Sequence, residues 1–478
     1  MTQAPATVQR RIAVVIAGCL LFVGLAALFF LLRREPLPIL QHVQRGGILV
    51  VATRQSPTAY YQGADGPDGF EYALIREFAE HLGVEVRPIF PRTIEALLHA
   101  TEQGAVHMAA AGLAITPARE RRVRFSIPYE FVTEQVIYRR GSARPRSLDD
   151  IAAGDLHVVA GSSHDEHLAE LRAAQQPTLT WQTHDDISTE RLLSEVDLGN
   201  FRLTLADSHT AALSRRVFQH TAVAFDLTES QPLGWAFSRN GDDSLLDAAN
   251  AFLQLIHQDG RLERLRARYF GHSDRLNFVD TREFWRHVRD RLPEFRAHFE
   301  QASQLTGIDW RLLAAIGYQE SHWRAEAVSP TGVRGIMMLT QSTAQQMGIS
   351  DRNDPQQSID GGARYLRVVE KKIPERIQEP NRLWLTLAGY NVGFGHLEDA
   401  RILTERDGAS PDLWFEVKQR LPLLADKAHY QTVKYGFARG QEAVDYVDKI
   451  RNYYDLLVWF TTTNDRKTLQ HLLTADAG

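Results

Sequence analysis

Cysteine is almost missing from this chain, with one residue, Cys19, in 478. That scarcity excludes an intramolecular disulfide framework and a cysteine-rich zinc site. It also fits an oxidising compartment, because no stray thiol is left to mispair. An excess of positive charge is missing too. Lys and Arg number 54 against 59 Asp and Glu, for a formal net charge of −5, so nothing marks the basic face that nucleic-acid binders carry. No internal repeat of fixed period is visible. His322 has no second histidine at helical spacing, so nothing resembles a metalloprotease helix, and neither a metal nor another cofactor is called for.

What is present begins with an apolar run at residues 12–32, preceded by Arg10 and Arg11 and closed by Arg33 and Arg34. It matches the ~20 residues a helix needs to span a bilayer and exceeds the core of a signal peptide. The expectation is an anchor over residues 1–34, with the remainder exported. Arginines on both flanks leave its orientation unset. Ile16-Ala17-Gly18-Cys19 also has the form of a lipoprotein cleavage site. The strongly apolar stretch after it favours Cys19 as one more lipid-facing residue.

Residues 35–45, with Pro36 and Pro38, read as a linker. Beyond it, strand-like runs at 47–52, 84–87, 106–114, 156–161, 179–183 and 201–206 alternate with helical patterns. Leu74, Phe78 and Leu82 recur every four residues in one of these. That beat predicts a two-lobed α/β domain with mainly parallel sheets over 46–271, hinged around a cleft. A long helical pattern at 245–269 closes it. Residues 272–460 are helical almost throughout, a separate and mostly α domain, and 461–478 form a polar tail.

The most informative stretch is 311–323. Leu312, Ile316 and Glu320 are spaced by four, and Leu313, Ile316 and Trp323 complete the stripe. A helix that buries this stripe places Glu320 at the end of its apolar face, beside an aromatic ring. Burial would raise its pKa, as a general acid at neutral pH requires. Pairing with Arg324 or Arg334 is the plainer alternative. Glycine-rich 329–340 follows, with Gly335-Ile336-Met337-Met338. Then come Ala388-Gly389-Tyr390-Asn391 and Glu442-Ala443-Val444-Asp445-Tyr446-Val447.

These four motifs, in this order, resemble those of the lysozyme-like lytic transglycosylases. Met338 stands where that family usually has glutamine, Gly389 where it has alanine, and Ala443 where threonine is common. The resemblance implies a lysozyme-like fold and peptidoglycan glycan strands as substrate. It also implies Glu320 as the single catalytic carboxylate, which protonates the glycosidic oxygen and then takes a proton from the C6 hydroxyl of N-acetylmuramic acid. Ser321, Met337, Met338, Tyr390, Asn391 and Tyr446 would hold sugars or orient Glu320, and Glu442 would pair inside the domain. Most glycosidases need a second carboxylate. Glu326, Asp351, Asp354, Glu370 and Glu398 show no motif pairing them with Glu320, and an intramolecular nucleophile removes the need.

Residues 46–271 resemble the family 3 solute-binding proteins that capture amino acids in the periplasm. Gly69-Phe70-Glu71, 115–119, 125–129, Gly161-Ser162-Ser163, Ala206-Asp207-Ser208 and 235–238 carry the likeness. It implies Arg119 as the grip for a ligand carboxylate, Asp207 for its ammonium group and Ser162 beside them, with an amino acid or muropeptide as ligand. Without the resemblance, Arg119 joins Arg121, Arg122 and Arg124 in a solvated basic face, and Asp207 caps the next helix. The expected function is a peptidoglycan lytic transglycosylase that is modulated through this domain. A water-using muramidase and a wall-tethered solute receptor are the alternatives. The resemblance implies attachment to the periplasmic face of the outer membrane, whereas the apolar run alone suggests the inner one.

Overall fold

The computed structural model describes residues 37–63, 66–185, 187–271 and 278–462. The run at 12–32, Cys19 and the tail from 463 lie outside them. Among the described residues no helix is long and apolar enough to cross a membrane.

Each of the two α/β lobes is built on a five-stranded sheet. In the first, the order is Glu85–Ile89, Ile48–Ala52, Met108–Ala109, Ala236–Ser238, Val123–Phe125. In the second it is Gln182–His184, Leu156–Val159, Leu203–Asp207, Glu134–Arg139, Thr221–Asp226. One strand in each sheet, Ala236–Ser238 or Glu134–Arg139, runs against the other four. Each reversed strand is the one by which the chain enters that lobe from the other. The two crossings pair as a short antiparallel ribbon, with Pro232 opposite Phe131. Leu49 and Val51 on one face and Ala52 on the other are fully buried, as parallel strands covered on both faces require.

Residues 35–45 are corrected from a linker. Their described part enters a helix, Ile39–Gly46, that ends at left-handed Gly47. It docks on the first lobe, where Ile39 N–H donates to Asp242 Oδ2 at 2.8 Å and Leu40 N–H to Ser244 Oγ at 3.0 Å. Pro38 did not forbid this helix, because the residue just before a first turn has no intrahelical N–H bond to lose. The long pattern at 245–269 resolves into two helices, Ser244–Gln258 and Arg261–Tyr269, separated at Gly260 with φ 74°.

From residue 278 the described chain is helical, without a strand among its elements. Gly440–Thr462 packs against both Trp310–Ser321 and Asn381–Val392. Its core continues into the second lobe, because Val217 and Phe218 share one apolar cluster with Phe284 and Trp285. Polar contacts follow the same seam. Arg216 donates to Asn452 Oδ1 at 2.6 Å, and the Trp285 indole donates to the Arg216 carbonyl at 3.3 Å.

Phe299 is fully buried and closes on Gly317 of the Trp310–Ser321 helix. A Cβ at Gly317 would lie 3.1 Å from the Phe299 ring and from Ile336. Phe299→Ala is therefore expected to destabilise the helical domain by about 3–5 kcal/mol in denaturant unfolding. A loss below about 1 kcal/mol would contradict this placement of the core.

Candidate active site

The helix Trp310–Ser321 starts at Asp309, whose carboxylate accepts the Arg311 N–H at 2.9 Å. It buries Leu312, Leu313 and Ile316, as the spacing predicts. Its end is abrupt. His322 and Trp323 both adopt left-handed backbone, φ 53° and 54°, a conformation that costs a non-glycine residue on the order of 1–3 kcal/mol. The turn folds Trp323 back beneath the helix, where its indole donates to the Ala314 carbonyl at 2.8 Å. The Arg291 guanidinium holds the His322 carbonyl at 2.7 Å.

Two phenols from other helices, those of Tyr446 and Tyr390, lie near the Glu320 carboxyl. Tyr446, buried on Gly440–Thr462, donates its hydroxyl to Glu320 Oε1 at 2.6 Å. Burial pushes the Glu320 carboxyl up to about 7, and the Tyr446 hydrogen bond pulls against that rise. Among the described residues, no charged group acts on it. The Arg324 Nε donates to the Ser321 carbonyl at 3.1 Å. Burial, and then the neighbouring Glu320, hold the Tyr446 and Tyr390 phenols well above their ordinary range. Both stay protonated donors.

The glycine-rich segment forms the floor. Gly335 takes φ 82°, and a Cβ there would meet the Arg352 carbonyl oxygen at 1.8 Å, so no other residue fits. Ser321 is buried. Its hydroxyl lies 2.9 Å from the Ile336 carbonyl and 3.1 Å from that of Gly317, and so ties the helix to this floor. Met337 is buried against Gly362, and its N–H donates to Ser358 Oγ at 3.2 Å. The Tyr390 hydroxyl lies 3.4 Å from the Met337 carbonyl. Met338, half-buried, has φ 46°. Asn391 is exposed at the end of Asn381–Val392. Of the sugar-contact candidates, Ser321 and Met337 therefore face inward as supports. Met338, Tyr390 and Asn391 keep accessible surface.

Two departures from the family pattern have packing reasons. A Cβ at Gly389 would lie 3.2 Å from both Leu397 and Val369, tighter than an ordinary contact. Ala443 is fully buried. Glu442 does not pair in the interior. It meets Arg439 Nη1 at 3.3 Å on the surface.

The candidate second carboxylates are engaged elsewhere or exposed. Glu370 pairs with Arg367, and Glu398 pairs with Arg401 at 2.6 Å. Asp354 caps the Pro355–Glu370 helix, Asp351 accepts the Asn353 N–H at 2.9 Å, and Glu326 is exposed. Donor atoms of Glu283, His287 and His322 lie within 4.8 Å of one another, a convergence across helices that spacing alone could not reveal. Arg286 Nη2 lies 3.4 Å from His287 Nε2, and the Arg291 guanidinium depresses the same histidine after burial does, so the surroundings disfavour a cation.

In the cleft between the lobes, Arg119 is 3% exposed, not part of a solvated basic face. It donates to Glu166 Oε1 at 2.9 Å. Asp207 starts the Ser208–Ser214 helix without a side-chain cap and meets His164 Nε2 at 3.1 Å. Ser162 caps Ser163–Ala174 and donates to the Val159 carbonyl at 2.6 Å. The structure gathers these three residues at one cleft, and each already has an internal partner.

Comparison with known proteins agrees with this division. Bacterial extracellular solute-binding proteins, family 3, match residues 49–272, and the Transglycosylase SLT domain matches residues 297–410. A protein of Pseudomonas fluorescens named membrane-bound lytic murein transglycosylase F is 46% identical over 88% of this chain and 87% of its own length. One of the same name from Ectopseudomonas mendocina is 47% identical over 89% and 88%. Membrane-bound lytic murein transglycosylase F 1 of Alkalilimnicola ehrlichii is 45% identical over 91% and 88%. Identity at this level across both domains shows that the chain belongs to the membrane-bound lytic murein transglycosylase F family.

Proposed function

We propose that the chain is a peptidoglycan lytic transglycosylase with Glu320 as its only catalytic carboxylate. The observation that carries this reading is a carboxyl group raised to about 7, with one tyrosine hydroxyl on it and, among the described residues, no charged group shifting it. Near neutral pH such a group is substantially protonated and can give its proton to the oxygen between N-acetylmuramic acid and N-acetylglucosamine. The carboxylate left behind then accepts the proton of the muramic acid C6 hydroxyl. That oxygen bonds to C1 as the glycosidic bond breaks, leaving a 1,6-anhydro end and consuming no water. The reacting hydroxyl belongs to the same sugar, so proximity replaces a second protein base.

Met338, Tyr390 and Asn391 are proposed to line the sugar site, with buried Tyr446 orienting Glu320. Ser321 and Met337 position it from beneath. The domains are proposed to span 46–271 and 272–460, with the helix Ile39–Gly46 docked on the first lobe. The relatives' names support attachment to a membrane, and the outer membrane's periplasmic face is the proposed place. The N-terminal cleft is proposed to take an amino acid or a wall-derived peptide through Arg119 and Asp207 and to modulate cleavage.

Glu320→Gln is expected to lower release of anhydro-muropeptides from sacculi by on the order of 10²–10⁴-fold. The same substitution should raise stability at high pH. A carboxyl whose folded pKa, about 7, exceeds its ordinary value of 4.5 destabilises the fold only once it ionises. The cost is absent below about pH 4.5, grows between the two values and is complete above 7, reaching roughly 3 kcal/mol. A Tm gain for the variant at pH 8 that disappears at pH 4 is the expected pattern. Wild-type turnover in the variant would overturn the assignment.

Tyr446→Phe removes the one contact that lowers the Glu320 pKa. The alkaline limb of the pH–rate profile should therefore move upward while the maximal rate falls. A limb that stays in place or moves down would show that Tyr446 does not tune Glu320.

A further inference from the structure

The N-terminal cleft holds one of its own carboxylates. Thr116 and Arg119 belong to the first lobe, on the cap and body of the short helix Pro117–Glu120. Glu166 belongs to the second lobe, on Ser163–Ala174. Both oxygens of Glu166 accept from the first lobe, Oε1 from Arg119 Nε at 2.9 Å and Oε2 from Thr116 Oγ1 at 2.7 Å. A second contact crosses in the same place, from Arg119 Nη2 to the Gly161 carbonyl at 3.3 Å. The remaining guanidinium nitrogen, Nη1, donates within the first lobe to the Ala114 carbonyl at 3.2 Å. Each nitrogen of Arg119 therefore has one acceptor without a ligand, which uses three of its five N–H groups. Its strongest partner is an anion from the opposite lobe, in the charge-assisted geometry that guanidinium favours.

An enclosed cation paired this way is not open to an incoming carboxylate. A ligand acid that takes the Nε edge must first displace Glu166, and its apparent affinity falls by the fraction of molecules in which that edge is free. Apolar contact adds to the closure, because Val159 and Leu192 of the second lobe share a buried cluster with Ala52 and Ala111 of the first. His164, two residues before Glu166, meets Asp207 inside the second lobe, so the cleft's other charged position is likewise partnered.

We propose that Glu166 is a built-in competitor for the Arg119 site. It latches the two lobes together and admits only a ligand whose carboxylate displaces it from Arg119 and Thr116. This rests on the reading that the cleft binds an amino acid or wall-derived peptide.

The test uses the full chain in detergent, with Cys19→Ser and spin labels at Gln103→Cys in the first lobe and Gln175→Cys in the second, both exposed positions. Without ligand, Glu166→Ala should lengthen or broaden the interlobe distance, and Glu166→Gln should do so less. Calorimetry with L-alanyl-D-glutamate should then show binding at least about ten-fold tighter in Glu166→Ala than in wild type. That gain should vanish when Arg119→Ala is added. An interlobe distance unchanged by Glu166→Ala overturns the latch whatever the ligand does. A lengthened distance with no binding of the dipeptide by either protein overturns the competitor role and the ligand reading while leaving the closure. Equal binding in wild type and variant overturns the competitor role but keeps the ligand reading.

Discussion

A half-buried carboxyl group with a single tyrosine hydroxyl at 2.6 Å and, among the described residues, no charge acting on it, is unfavourable when ionised. Proteins usually avoid this by supplying a cation or several N–H donors. Here the surroundings supply neither, and the consequence is a carboxyl that keeps its proton to about pH 7. The arrangement persists because three helices hold it in place. Trp310–Ser321 carries the acid, Gly440–Thr462 carries the tyrosine, and Asn381–Val392 brings the second phenol.

Several costly features make sense as supports for that geometry. Two consecutive left-handed residues after Ser321 and a third at Met338 cost free energy that the rest of the domain must offset. Burial of Trp323 under its own helix and the Ser321 link to the Ile336 carbonyl hold the turn closed from below. Gly335 lets the floor pass against the Arg352 carbonyl, where any side chain would collide. The same helix that supplies Tyr446 also carries Asn452, which accepts from Arg216 of the second lobe. One rigid element therefore touches both the acid and the α/β domain.

Local periodicity made much of this legible. The four-residue spacing of Leu312, Ile316 and Glu320 placed the acid correctly at the end of an apolar face, and strand–helix alternation gave the two lobes. Contacts distant in sequence were not legible that way. Tyr446 lies 126 positions from Glu320, and only the family resemblance connected them. The two positive φ angles after Ser321, which fold Trp323 back onto the Ala314 carbonyl, were not legible in the spacing either. Whether Ser321 and Met337 hold sugars or support Glu320 was not legible either, because a motif gives residue order and not which side is buried. The Arg119–Glu166 pair joins residues 47 apart on different lobes, and nothing in the local pattern around either one signals it.

One carboxylate, one neighbouring hydroxyl and no engaged partner acid amount to the claim that water takes no part in bond cleavage. Digestion of sacculi by the full chain in water enriched in heavy oxygen, with mass spectrometry of the released muropeptides, tests that most directly. The account predicts anhydro ends that carry no heavy oxygen and that disappear when Glu320 is replaced by glutamine. Reducing ends that incorporate the label would contradict it, and would require an acid–base partner for Glu320 that this arrangement does not provide.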